Sequence, residues 1–351
     1  MADCLYVCLQ DDDKIARFVI DPGTGGLTRQ ADVPVAGGPS VTALSPDRRV
    51  LYVGLRTRPA ISSFRIDPAT GALTAQGTVA SADAPTFLAT DRAGRFLLSA
   101  YYQGGYAAVH PLGSDGAVNA PALDRYETAN GAHAIATDPS NRFAFVPHIA
   151  RLQDNVLEPP KNNPGPNFIA QFRFDPQTGR LTPNAQARLE PGEGLGPRHY
   201  TFHPNLDIVY FSNEQGCGVT AYRLEGATGT LSATQTISSL PAGWSGRNTC
   251  SQIHLTPSGQ FLYVGNRGHN SIAGFAVDAA GRLTAIGQAA TEAVPSAFGL
   301  DPAGNFLFAA GTASGRLASY RINGETGALT PLATEVVGQR PAAVLVAQLG
   351  S

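Results

Sequence analysis

The 351-residue chain has little charge: Asp, Glu, Lys and Arg make up 15% of it, the net charge is −2, and no basic stripe gathers its 25 lysines and arginines. Without such a stripe to neutralise phosphates, nucleic acid is excluded as a partner. No apolar run approaches the ~18 residues of a membrane-spanning helix, so the chain is not expected to engage a membrane. Cysteine is scarce, with only Cys4, Cys8, Cys217 and Cys250. Cys4 and Cys8 lie too far apart along an extended segment to bridge, and the count fits a reducing compartment. Met1-Ala2-Asp3 leads directly into an apolar segment without a charged n-region or apolar h-region, so a cytoplasmic location is expected. Walker loops, dinucleotide fingerprints, zinc spacings and Gly-x-Ser-x-Gly are missing too. No cofactor and no α/β-type serine hydrolase are expected.

What the chain has in abundance is turns, with 39 glycines and 26 prolines. One phrase recurs seven times, an acidic or polar turn followed by Gly-x-Leu-Thr. It is clear at Asp21 to Thr28, Asp67 to Thr74 and Asp175 to Thr182, and looser at Ser114 to Asn119, Glu225 to Ser232, Asp278 to Thr284 and Asn323 to Thr330. Its aliphatic residues, Leu27, Leu73, Val118, Leu181, Leu231, Leu283 and Leu329, are spaced by 46, 45, 63, 50, 52 and 46 residues. Such a period marks a solenoid, propeller or array. Between these turns falls a second phrase, such as Asp138-Pro139-Ser140-Asn141 or Asp301-Pro302-Ala303-Gly304, followed by a strand-like run such as Phe306-Leu307-Phe308-Ala309. Proline fixes φ and glycine or asparagine tolerates positive φ, so each phrase is a tight turn. Four antiparallel strands, A to D, in ~45 residues make one propeller blade.

The termini predict closure. Arg340 to Val346 reads as a lone strand A, and Cys4 to Cys8 as a strand B with no strand A before it. Joined, they give an all-β, seven-bladed β-propeller in a single domain over residues 1–351. Blade seven is then built from about 340–351 plus 2–35, which leaves no exposed sheet edge.

In this arrangement the A–B and C–D turns share one face of the disc, and both are stereotyped. The B–C and D–A connections on the other face vary, and function on rigid scaffolds sits in variable loops. Strand A starts carry His133 in blade three and Arg198-His199 in blade four. Strand B ends carry Tyr101-Tyr102, His148, Asn213-Glu214 and Asn266 to His269 in blades two to five. Blades two, six and seven offer little to match the last three, so the ionisable residues concentrate in one sector. Each also has a plain structural reading: His203 stabilises a turn, His254 is a satisfied core histidine, His110 is solvated, and Arg198 and Arg267 are structural partners of Glu214. Ile149 to Asn167, rich in proline, is either a rim or lid beside this sector or a passive loop. The single tryptophan, Trp244, lies in a D–A loop. With Glu214 the lone carboxylate of the sector, no metal site is expected.

With these motifs in hand, the chain resembles the seven-bladed propeller lactonase family, which includes propeller-type 6-phosphogluconolactonases and the carboxymuconate lactonising enzyme. The likeness covers essentially the whole chain and is carried by Gly131-Ala132-His133, Gly196-Pro197-Arg198-His199, Ser212-Asn213-Glu214 and Gly265-Asn266-Arg267-Gly268-His269. The resemblance implies His133, Arg198, Glu214 and Arg267 as the active site. His148 and Gln252 stand where relatives more often carry acidic residues.

The implied activity is cofactor-free hydrolysis of a sugar or small-acid lactone that carries an anionic group. Arg198 and Arg267 would hold that group and the developing oxyanion. Glu214 or His133 would activate water. A glutamate between arginines stays a carboxylate, which favours His133 for proton transfer and Glu214 as organiser. Tyr102, His148, His199, Asn213 and His269 are candidate substrate-binding residues. A muconate-type lactonising cycloisomerase and a non-catalytic binding platform remain as alternatives.

Overall fold

A computed structural model describes residues 3–152 and 156–350. Strands dominate it, with one short 3₁₀ turn at Gln10–Asp12. They form seven antiparallel sheets, six of them with four strands in sequence order. Blade four is typical, with strand A Pro197–Phe202, B Ile208–Asn213, C Gly218–Leu224 and D Leu231–Ser238. Blade seven joins the two ends of the chain. Its strand A, Pro341–Gln348, pairs with strand B, Asp3–Leu9, followed by Lys14–Ile20 and Leu27–Arg29. The expected seven-bladed closure is therefore the observed one.

The two recurring phrases are the turns that hold each blade. In the C–D turn, Asp21 Oδ1 accepts the Gly23 and Thr24 amides and the Thr24 hydroxyl, and Asp67 does the same for Ala69 and Thr70. A glycine at positive φ then closes the turn, as at Gly25 (76°), Gly71 (70°) and Gly327 (69°). A Cβ on Gly71 would lie 2.7 Å from Cys4 Sγ, and one on Gly25 2.5 Å from the Phe306 ring. These turns therefore pack glycine against strand B of the neighbouring blade. Four strand B tyrosines reach across in the same place: Tyr6, Tyr52, Tyr210 and Tyr263 donate to the carbonyls of Gly71, Gly116, Gly281 and Gly327 at 2.7–2.9 Å. In the A–B turn, the residue before the proline accepts the amide that starts strand B. Asp138 Oδ1 takes Phe143 N, Asp301 Oδ1 takes Phe306 N, and Thr256 Oγ1 takes Phe261 N. His203 instead uses Nδ1 to accept the Asn205 and Leu206 amides within the turn itself, so it stabilises a turn as expected.

The hydrophobic core is a ring of layers between blades. Cys4, Tyr6 and Cys8 of blade seven pack on Leu51, Val53 and Phe64 of blade one, and Tyr210 and Val219 of blade four on Leu262 and Phe275 of blade five. All four cysteines are unpaired. His110 departs from the expectation of a solvated side chain. It lies within strand C of blade two, is 5% exposed, and bonds Ser99 Oγ through Nε2 at 3.0 Å.

Two local features aim side chains into the central channel. The residue before strand A takes positive φ at Gly38 (69°), Gly196 (62°), Val294 (58°) and Arg340 (48°), each preceding a proline, and at Gly131 (94°) before Ala132. Strand A then bulges, with pairing that jumps between Pro197 and Tyr200, between Cys250 and Ile253, and between Pro39 and Val41. A bulge adds one unpaired residue and re-aims its neighbours.

Candidate active site

A cavity of about 680 Å³ opens at the channel mouth on the face of the B–C and D–A connections. Two register positions supply most of its wall. The first is the residue after the last paired position of strand B (in blade three the bridge Ala132–His148 just beyond the strand), which lines the cavity as Arg56, Tyr102, Ile149, Glu214, Arg267 and Thr312, with Gln10 completing the ring. The second is the start of strand A, which contributes Ser40, Arg198-His199, Gln252 and Ser296 at bulges, and Thr86 and His133 where no bulge occurs.

At the heart of the wall is an ion triad. Glu214 Oε2 lies 2.6 Å from Arg198 Nε and 2.9 Å from Arg267 Nη2, with Glu214 3% exposed. The Arg198 contact is an ion pair angled away from a hydrogen bond, and Arg198 Nη1 has no hydrogen-bond partner. Arg267 is anchored by Nη2 to Cys250 O at 2.9 Å. Burial and then the Arg267 charge pull the Arg198 pKa down to about 10, against the opposing pull of Glu214, which leaves it cationic at neutral pH.

His133 sits beside the triad. It is 8% exposed, its Nδ1 is buried without a partner, and its ring meets those of His199 and Tyr102 edge-on at 5.0 and 5.8 Å. Burial first, then the Arg198 charge, hold its pKa well below the usual histidine value, so the imidazole is neutral. His199 is held down in the same way by burial and Arg198, and packs on Phe87 at 4.9 Å. A neutral imidazole beside two guanidiniums and a carboxylate can accept a proton from water while the cations meet negative charge on a carbonyl oxygen.

The sequence-derived candidates thus divide. His133, Arg198, Glu214, Arg267, Tyr102 and His199 all line the cavity. His148, Asn213 and His269 do not. His148 and Asn213 occupy the last paired position of strand B, one residue too early, and their side chains point between strands. His148 is 0% exposed, stacked on Phe168 at 3.9 Å and bonded to Thr128 Oγ1 at 3.0 Å. Asn213 Nδ2 donates to Thr220 Oγ1 at 2.8 Å. His269 lies two residues beyond the cavity position, with Nδ1 2.7 Å from Ser271 Oγ and its ring against Trp244.

His254 also departs from its expected place in a blade core. The bulge sets it on the wall of a deeper cavity of about 440 Å³, where its Nε2 faces Gln252 Oε1 at 3.4 Å. Ser40, Val41, Thr86, His199 and Gln252 line both cavities.

From the proline-rich insertion, Ile149, Leu157, Glu158 and Lys161 reach the mouth, and Lys161 pairs with Glu158 at 2.9 Å. Residues 153–155 of it lie outside the described residues. Arg56 and Arg340 were missed, because they stand in blades one and seven, away from the sector where charge clusters in sequence. Their signal is positional, since Arg56 follows strand B as Glu214 and Arg267 do. Among the described residues, no three His, Cys, Asp or Glu side chains group closely enough to hold a metal ion.

Residues 5–346 match the family model described as "Lactonase, 7-bladed beta-propeller". The chain is 34% identical over 346 residues to a 6-phosphogluconolactonase of Yersinia pestis (strain Pestoides F), covering 97% of each protein. It is 36% identical over 265 residues to a 6-phosphogluconolactonase of Pectobacterium carotovorum subsp. carotovorum (strain PC1), covering 75% of each. Among solved structures, the periplasmic gluconolactonase of Pseudomonas aeruginosa superposes with a TM-score of 0.88 at 26% identity, over 100% of both chains.

Proposed function

Because the chain belongs to the seven-bladed β-propeller lactonase family, we propose that it hydrolyses a sugar lactone at the cavity built by His133, Arg198, Glu214 and Arg267. The observation that carries this reading is the triad itself, Glu214 Oε2 at 2.6 and 2.9 Å from two guanidiniums on the wall that also holds neutral His133. The lactone carbonyl oxygen takes its place against Arg198 and Arg267. Water attacks the carbonyl carbon as His133 accepts its proton, and the oxyanion that forms is held by guanidinium donors already in position. Collapse of the tetrahedral species breaks the ring C–O bond, and the proton passes from His133 to the departing alkoxide, giving the hydroxy acid. Glu214 orients the two arginines and offsets their mutual repulsion without entering the proton transfer.

The substrate is a small lactone bearing an anion, and the four unpaired cysteines favour a reducing, cytoplasmic setting. No helix is long and apolar enough to cross a membrane among the described residues.

The test is hydrolysis of gluconolactone and its 6-phosphate above the uncatalysed rate, followed with a pH indicator. Arg198→Ala should cost at least about tenfold in turnover while circular dichroism shows the native sheet signal, since one oxyanion donor contributes on the order of 10²-fold. Wild-type turnover in the variant would remove Arg198 from the site. No hydrolysis by the wild type would turn the reading toward lactonising cycloisomerisation.

A further inference from the structure

We propose that Arg56 and Arg340 form a second anion subsite, across the channel from Arg198, that takes the phosphate of a phosphorylated sugar lactone; this deepens the lactonase reading above and rests on it. The cavity wall is electropositive. Five of its lining side chains are cationic (Arg56, Lys161, Arg198, Arg267, Arg340) and two are carboxylates (Glu158, Glu214), within a chain of net charge −2. Most of these cations are already answered. Arg198 and Arg267 share Glu214, and Lys161 holds Glu158. Arg340 has a loose contact with Asp11 at 3.7 Å, both side chains about half exposed. Arg56 makes no side-chain hydrogen bond or ion pair among the described residues.

Position and backbone agree. Blades one and seven are neighbours in the ring and lie opposite blade four, so Arg56 and Arg340 face the triad across the channel. Arg340 holds φ 48° at the place where blades one, three and four carry Gly38, Gly131 and Gly196. Glycine would sit there without strain, yet an arginine aimed at the cavity stands in its place. Backbone strain of this kind persists at sites of function. Val294 shares the conformation in blade six and also lines the cavity.

The two guanidiniums sense each other. The surrounding channel wall and then the Arg340 charge lower the Arg56 pKa, and the Arg56 charge in turn contributes to depressing His133. Two guanidiniums that repel each other are relieved by an anion between them, and their planar forks match phosphate oxygens in pairs. A lactone with its carbonyl at Arg198 and Arg267 and its far end toward Arg56 and Arg340 places a terminal phosphate in this subsite.

The experiment compares kcat/KM for glucono-δ-lactone and for its 6-phosphate in the wild type, Arg56→Gln, Arg340→Gln and the double variant. The ratio of phosphorylated to unphosphorylated kcat/KM should fall about tenfold or more in the double variant, through KM. Arg56→Lys should recover part of it. Arg340→Gly should lose discrimination without losing Tm, which separates the subsite from a folding defect. An unchanged ratio in the double variant overturns the proposal. Calorimetry with the product acids reads the subsite without turnover. The wild type should bind 6-phosphogluconate at least about tenfold tighter than gluconate, a preference the double variant loses, and equal binding of the two acids by the wild type overturns the proposal. A wild type that hydrolyses neither lactone but keeps this binding preference defeats the lactonase reading and leaves the subsite standing.

Discussion

Glu214 balances two buried guanidiniums with a single carboxylate oxygen, so its removal leaves Arg198 and Arg267 facing each other at 9% and 14% side-chain exposure. An uncompensated buried charge is costly, on the order of 3 kcal/mol. Glu214→Gln should therefore lower the unfolding free energy by about 3 kcal/mol in urea titration, and millimolar phosphate should restore part of it by occupying the gap between the arginines. Equal stability with and without the carboxylate would show that the triad is not held by charge balance. At this scale the sequence was largely legible, because His, Arg and Glu clustered at strand ends where a polar core residue has no reason to be. What misled the reading of His148 and Asn213 was register. Neighbouring strand residues point to opposite sides, and a one-residue difference separates Glu214 in the cavity from Asn213 bonded to Thr220.

The elements that aim the site are the left-handed residue and the bulge at the start of strand A. Gly196 at φ 62° turns the chain into Pro197, its carbonyl accepts Glu214 N at 2.7 Å, and the bulge then presents Arg198 and His199 together. A Cβ at Gly196 would fall 2.1 Å from Gln215 Oε1 and 2.9 Å from Ala150 N. The Gln215 side chain can move, but the Ala150 backbone cannot move without shifting the insertion. Gly196→Ala should cost about 1–2 kcal/mol for the left-handed conformation alone. It should also reduce kcat/KM more than tenfold as Arg198 is displaced, measured by urea titration beside lactone hydrolysis. Full activity in this variant would detach the turn from the site. The tight turns themselves were readable, since Asp, Pro, Thr and Gly each carry a local hydrogen bond or φ requirement. The bulge was not, because its extra residue has no chemical signature; Ser40, Gln252 and Ser296 enter the cavity through backbone register alone.

At the scale of the whole molecule, the ring closes by pairing Asp3–Leu9 with Pro341–Gln348, so every blade is packed on both sides and local damage is felt around the circle. Histidines buried neutral in this ring tie its stability to pH. His110, 5% exposed against Ser99, has its pKa lowered to about 4 by burial. His148, 0% exposed, is lowered to about 3, again chiefly by burial. Each binds a proton in the unfolded chain at pH values where the folded protein leaves it neutral, so folding becomes less favourable as pH falls below the unfolded value near 6.5. Their contribution is complete above about pH 6.5 and drains by about 1.4 kcal/mol per pH unit for each residue until the folded pKa is reached. The Tm should be level from pH 7 to 8.5 and fall steadily from about pH 6.5 toward pH 4. His110→Gln should flatten part of that slope, because glutamine carries no titrating proton. A Tm constant between pH 7 and pH 5 would mean that these imidazoles are charged, or open to water, in the folded ring.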